Sequence, residues 1–148
     1  MREWGPPTPP EVIRREIVLP ASPAEVWVAL TDNKDVSRWF GAEVEMAPRL
    51  GAQVRFRWPD GVEREAVIEA LETDRLLVLR WLPFYRDAGG KMQRRPGTTV
   101  RFTLGPRGEG TVLVVEETLP APGEWPPDVV GPGGAPETAY RLRAGAGR

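Results

Sequence analysis

The spacing of apolar positions changes twice along the chain. Over residues 12–19 it is close to two, which predicts a strand with Arg15, Ile17 and Leu19 on one face and Arg14, Glu16 and Val18 on the other. It then becomes helical, with Val26, Trp27 and Leu30 on one side. Ser22 is the expected N-cap, Pro23 the first helical residue, and Glu25 stands where a capping box needs a carboxylate. Thr31 or Asp32 caps a second short helix that ends near Arg38-Trp39-Phe40-Gly41. After Gly41 the period returns to two.

Six further strands are predicted, at 42–46, 52–58, 62–71, 75–82, 98–104 and 111–119. Pro59-Asp60-Gly61 makes one hairpin turn, because proline fixes φ and glycine accepts a positive one. Val100, Phe102 and Leu104 share a face and should meet Leu113 and Val115 across the last hairpin. Residues 83–97 read as a 15-residue loop. The order of one strand, two short helices and six strands predicts an α+β fold on an antiparallel sheet of about seven strands. Such a sheet has an apolar face that two short helices do not cover.

Composition divides the 148 residues into a Pro-rich extension at 1–10, one domain at 11–120 and a Gly/Pro-rich irregular tail at 121–148. Trp4 and Trp125, in the Pro-rich segments, read as surface anchors. With 20 basic and 21 acidic residues the net charge is −1, which excludes the basic footprint of non-specific nucleic-acid binding. Histidine and cysteine are absent. That removes disulfides, thiolate or imidazole metal sites, and Ser-His or Cys-His catalysis. No apolar run is long enough to span a membrane, and the N-terminus lacks a secretory h-region, so the expected location is the cytoplasm.

Four segments carry a family resemblance. They are Ala21-Ser22-Pro23-Ala24-Glu25-Val26-Trp27-Val28-Ala29-Leu30-Thr31-Asp32, then Ser37-Arg38-Trp39-Phe40, then the strand run from Gly51 to Trp81, and finally Thr99-Val100-Arg101-Phe102-Thr103-Leu104 with Gly110-Thr111-Val112-Leu113. In this order they resemble the START-like, or SRPBCC, superfamily. The closer likeness is to the branch related to the activator of the ninety-kilodalton heat-shock-protein ATPase. The resemblance implies a helix-grip fold, in which the sheet curls around a long C-terminal helix and a cavity lies between them. Members of the superfamily bind lipids, sterols, polyketides or plant hormones; some are polyketide cyclases, and others are co-chaperones with a role in stress response. This chain departs from the pattern at its end. Pro126, Pro127 and the run Gly131-Pro132-Gly133-Gly134-Ala135-Pro136 exclude a helix where the family has one. Three alternatives stand: the tail packs as irregular coil, a homodimer or protein partner covers the sheet face, or the reading frame has slipped after Trp125.

The candidate ligand cavity is lined by Trp39, Phe40, Phe56, Trp58, Trp81 and Phe102, with ordinary core as the competing reading. Arg55, Arg57, Arg80 and Arg101 read as outer-face arginines paired with Glu63, Glu65 or Glu69, although Arg80 could aim its guanidinium into the cavity. Arg86, Lys91, Arg94 and Arg95 make the 83–97 loop basic, so it either gates the cavity, docks an acidic partner or is simply solvated. Glu116 and Glu117 read as a solvated strand end; a buried general base is the alternative, with no matching acid in view.

The expected function is binding of a small apolar or amphipathic ligand, with no cofactor and no metal. A co-chaperone-like interaction module is the first alternative. A cyclase- or hydratase-type enzyme is the second, and the reading leans away from an enzyme.

Overall fold

The computed structural model describes residues 12–95 and 97–118. The elements in order are β1 (Val12–Leu19), α1 (Pro23–Thr31), α2 (Asn33–Phe40), β2 (Glu43–Met46), β3 (Gln53–Arg57), β4 (Glu63–Glu72), β5 (Leu76–Arg86), β6 (Met92–Arg94), β7 (Thr99–Arg107) and β8 (Gly110–Thr118). The expected N-terminal extension, the tail at 121–148, its doubtful C-terminal helix, Trp4 and Trp125 lie outside the described residues.

Local chemistry sets the helix boundaries. Ser22 accepts a hydrogen bond from the Glu25 backbone at 3.2 Å, and Glu25 accepts from the Ser22 backbone N–H at 3.1 Å and its hydroxyl at 3.0 Å. Those bonds, the backbone one foremost, hold the Glu25 carboxyl below its ordinary 4.5. Asp32 ends α1 and caps α2, its carboxylate accepting from the Asp35 N–H at 3.2 Å. Gly41 stops α2 in the left-handed conformation at φ 65°.

The strands run antiparallel in the order β1-β8-β7-β5-β4-β3-β2, with β6 paired to β5 off that path. This is the α+β helix-grip arrangement, with both helices following the first strand. The sheet has an eighth strand because the 83–97 segment is partly a hairpin. β5 continues to Arg86, and the Asp87 carboxylate accepts from the N–H groups of Gly89 at 3.0 Å and Lys91 at 2.9 Å and from the Gln93 amide at 2.9 Å. An aspartate that bonds its own turn supplies the local order that a composition-based loop assignment overlooks. The last turn is also tighter than expected, since β7 runs on to Arg107 and β8 resumes at Gly110.

Period-two alternation sorts the two faces. The inner face carries Val44, Met46, Val54, Phe56, Ala66, Ile68, Leu77, Leu79, Val100, Phe102, Leu104, Leu113 and Val115, which form one core with Val26, Trp27, Leu30, Val36 and Phe40 of the helices. Phe102 pairs with Val115 and Leu104 with Leu113, as expected. α1 packs on β7 and β8, and α2 packs on β2. The outer face is a charge lattice. Arg55 lies between Glu45 and Glu65 at 3.8 and 3.7 Å, and Arg57 between Glu43 and Glu63 at 3.8 and 3.7 Å. Exposed pairs of this kind each contribute about 0.2–1 kcal/mol.

Candidate functional site

The strand register builds a staggered band of side chains across the inner face, at the end away from the α1 N-terminus, with Glu117 level with Val100, Leu79 and Ile68 and Arg64 four residues before Ile68 on β4. Ala66 pairs with Trp81, the Trp81 N–H donates to the Thr98 carbonyl at 2.9 Å, and Glu117 pairs with Val100 on one side and Ile13 on the other. Arg64 stands two residues before Ala66 on the same face, and Trp58 follows β3. Arg15, two residues past Ile13, shares that face at the β1 edge.

One side of the band is aromatic. Phe56 meets Trp81 at 4.6 Å between ring centroids, Phe40 at 5.1 Å and Trp58 at 5.7 Å, while Phe40 also meets Phe102 at 6.4 Å. These tilted and edge-on contacts follow from the ring quadrupoles. Arg64 is 3% exposed, and its guanidinium carbon lies 4.6 Å from the centroid of the Trp81 ring. Its Nη2 donates to the Leu82 carbonyl at 3.3 Å. The π face and the carbonyl dipole both favour the cation there.

The other side is acidic. Glu117 is 1% exposed, the only buried carboxylate among the described residues. The Thr98 hydroxyl donates to Glu117 Oε2 at 2.5 Å. Arg15 is half-buried nearby, and its Nε has no hydrogen-bond partner among the described residues.

Of the expected cavity residues, Phe40, Phe56, Trp58, Trp81 and Phe102 are buried in this aromatic cluster, and Trp39 is half-buried against it. Arg80 does not join them. Its parity is that of Leu76 and Val78, so it points to the outer face and pairs with Glu69 at 3.0 Å. That overturns the expectation of a guanidinium aimed into a cavity. Arg86, Lys91 and Arg94 are exposed on the hairpin and Arg95 is half-buried, with Arg86 Nη1 donating to the Gly90 carbonyl at 2.8 Å. A cleft of about 440 Å³ lies at this hairpin, lined by Leu82, Phe84, Tyr85, Arg86 and Met92 and reaching Arg64. A shallower groove of about 670 Å³ runs between α2 and the β3–β4 turn, bordered by Lys34, Arg38 and Trp58. Among the described residues no group of three or more acidic side chains is placed to hold a metal. None of the described helices is long and apolar enough to cross a membrane.

Arg64 is not among the expected site residues, and Glu117 is buried where a solvated strand end is expected. Alternation holds the missing signal. Counting by two from Ile68 and Ala66 puts Arg64 on the inner face, and counting from Leu113 and Val115 puts Glu117 there.

Comparison with known proteins agrees with this architecture. The family model described as Activator of Hsp90 ATPase homolog 1-like protein matches residues 20–144. No curated protein matches the sequence. Among solved structures, Mll3558 from Rhizobium loti is similar at TM-score 0.70 and 23% identity, over 93% of this chain and 94% of its own. DynU16, from the dynemicin biosynthetic locus, is similar at TM-score 0.65 and 27% identity, over 90% of this chain and 46% of its own, so this chain spans about half its length. The Aha1 dimer from Colwellia psychrerythraea is similar at TM-score 0.58 and 19% identity, over 72% of this chain and 74% of its own.

Proposed function

The chain belongs to the family of Activator of Hsp90 ATPase homolog 1-like proteins, and from that premise we propose that it binds a small apolar or amphipathic molecule against the inner face of its sheet. The observation that carries this reading is the guanidinium of Arg64 set on Trp81, at the edge of a continuous cluster of Phe56, Trp58 and Trp81. A binding site for a small organic molecule combines an apolar wall with a few fixed polar groups, and this face has both. Apolar burial gives the affinity: ~200 Å² of ligand surface removed from water contributes about 5 kcal/mol. The polar group fixes orientation. Likeness to a protein of the dynemicin biosynthetic locus supports a small organic ligand. The chemistry asked of the protein is recognition, without a metal or redox group.

Native mass spectrometry of the full chain, beside its denatured mass, tests the proposal. After incubation with an organic extract of the producing cells, the expected result is an adduct of a few hundred daltons that leaves on denaturation. A bare chain at every extract concentration overturns it.

A specific observation favours a second reading, a protein-interaction module. Phe84 and Met92, 49% and 58% exposed, share one face of the β5–β6 hairpin with Arg86 and Arg94. A bare dimer, or a complex formed only with a protein, would move the assignment there; the solved Aha1 relative is a dimer.

A further inference from the structure

We infer that the groove between α2 and the β3–β4 turn docks an extended acidic segment of a partner protein, one with carboxylates at alternate positions and an apolar residue between them. This surface goes beyond the inner-face ligand reading and shares only Trp58 with that aromatic cluster. It is also separate from the Phe84–Met92 face of the hairpin.

The groove has two fixed walls. Lys34 and Arg38 stand on the α2 side and Arg57, Trp58 and Pro59 on the other, around a volume of about 670 Å³. α2 is pinned to β2, where Ser37 Oγ accepts from the Val44 N–H at 2.8 Å and Asn33 Oδ1 accepts from the Met46 N–H at 2.8 Å. Those bonds occupy N–H groups at the sheet edge, so strand addition to β2 is closed and side chains must do the recognition. The opposite wall is a tight turn, with the Gly61 N–H donating to the Trp58 carbonyl and the Trp58 N–H to the Val62 carbonyl, both at 2.9 Å. A surface fixed in advance loses little freedom when a partner arrives.

Charge and spacing decide what fits. The lining holds three cations, Lys34, Arg38 and Arg57, and one carboxylate, Glu43. Arg57 is shared between Glu43 at 3.8 Å and Glu63 at 3.7 Å. Lys34 and Arg38 are exposed, and neither makes an ion pair or a side-chain hydrogen bond among the described residues. Asp60, in the facing turn, gives its carboxylate to the Val62 N–H at 3.0 Å. The cations open to a partner therefore lie on the α2 wall, and their complement is acidic. Four residues apart on one helix face, they are separated by about 6 Å along the axis. Alternate side chains of an extended chain are about 6.6 Å apart and point the same way. Two carboxylates flanking one residue thus meet both cations together. The residue between them points to the opposite wall, where Trp58 and the exposed Pro59 are apolar. A shallow groove suits a chain covered on one side, whereas sites for free small molecules bury most of the ligand.

NMR titration of the full chain tests the proposal with four probes. Three are peptides capped at both ends: Gly-Ser-Glu-Leu-Glu-Ser-Gly, Gly-Ser-Glu-Glu-Leu-Ser-Gly and Gly-Ser-Gln-Leu-Gln-Ser-Gly. The fourth is an oligothymidylate. The first peptide should shift the amide signals of residues 34–42 and 57–61. It should bind about threefold tighter than the second, whose carboxylates point to opposite sides, and about tenfold tighter than the third. Lys34→Glu combined with Arg38→Glu should abolish that binding and create binding of Gly-Ser-Lys-Leu-Lys-Ser-Gly at the same residues. Both side chains are exposed, the variant's own spectrum reports its fold, and the ranking by the unaltered chain needs no variant. Equal binding of the two glutamate peptides, shifts confined to other residues, or no shift at millimolar peptide overturns the proposal. Tighter binding of the oligothymidylate in the groove overturns it in favour of nucleic acid. None of these outcomes touches the inner-face ligand, which is read by mass.

Discussion

The hydroxyl of Thr98, one residue before β7, and the carboxylate of Glu117 on β8 meet at 2.5 Å on the inner face of the sheet, both buried. That separation is at the short end of the range for a hydroxyl donating to a carboxyl oxygen. The bond ties the last strand to the segment that returns from the β5–β6 hairpin.

Thr98→Val should therefore lower stability by about 1.5–3 kcal/mol. A double-mutant cycle with Glu117→Gln, read by urea unfolding, should give a coupling energy above ~1 kcal/mol. Coupling near zero would mean that the two side chains are neighbours without being partners.

Phe56 touches Phe40, Trp58 and Trp81. Phe56→Ala should cost about 3–5 kcal/mol, because three rings lose a common neighbour and the void cannot close. On the opposite face Arg57→Gln should cost under ~1 kcal/mol, since its two ion pairs are exposed. Equal effects in urea unfolding would show that Phe56 is not central to the core.

Gly97 is a position where a methyl group has no room. A Cβ there would stand 2.6 Å from the Trp81 carbonyl oxygen. Gly97→Ala should cost about 1–3 kcal/mol through backbone displacement. It should also shift the tryptophan emission, because Trp81 moves with its own carbonyl. Unchanged emission and stability would show that the two strands separate freely at this point.

The Gln93 amide, then the backbone N–H groups of Lys91 and Gly89, hold the Asp87 carboxyl below its ordinary 3.8. A carboxylate depressed in the folded state contributes its full stabilisation above the unfolded value and loses it as pH falls through the folded one. The hairpin turn should thus stay intact at neutral pH and loosen only below 3.8. The Gly89 and Lys91 amide shifts, followed by NMR on acidification, should report a midpoint under that value. A midpoint at or above it, or no change in Asp87→Asn, would remove the carboxylate from the account.

Particular residues explain how far the sequence could be read. Ser22, Pro23 and Glu25 act within one turn of chain, and that locality made α1 legible. Gly41 and the Pro59-Asp60-Gly61 turn are local in the same sense. The β5–β6 hairpin is not legible in the sequence because its order depends on where the Asp87 carboxylate points, which composition does not encode. β5 was harder still. Leu76, Leu77, Val78 and Leu79 are apolar on both faces, so parity alone could not tell where Arg80 pointed. The polar band needs five strands in register, and no window along the chain contains it. Each aromatic member is legible by itself, whereas Arg64 and Glu117 acquire meaning only from their neighbours across the sheet.

The pairing of β1 with β8 has a consequence for how the molecule comes into being. Val12 faces Thr118 and Leu19 faces Thr111, so among the described residues β1 pairs only with β8. During synthesis β1 waits for nearly the whole domain to follow before β8 leaves the ribosome. Contacts of such long sequence separation make folding slow and leave intermediate states exposed. Arg14, Arg15 and Glu16 in the middle of β1 give the waiting strand charges that resist association with other chains.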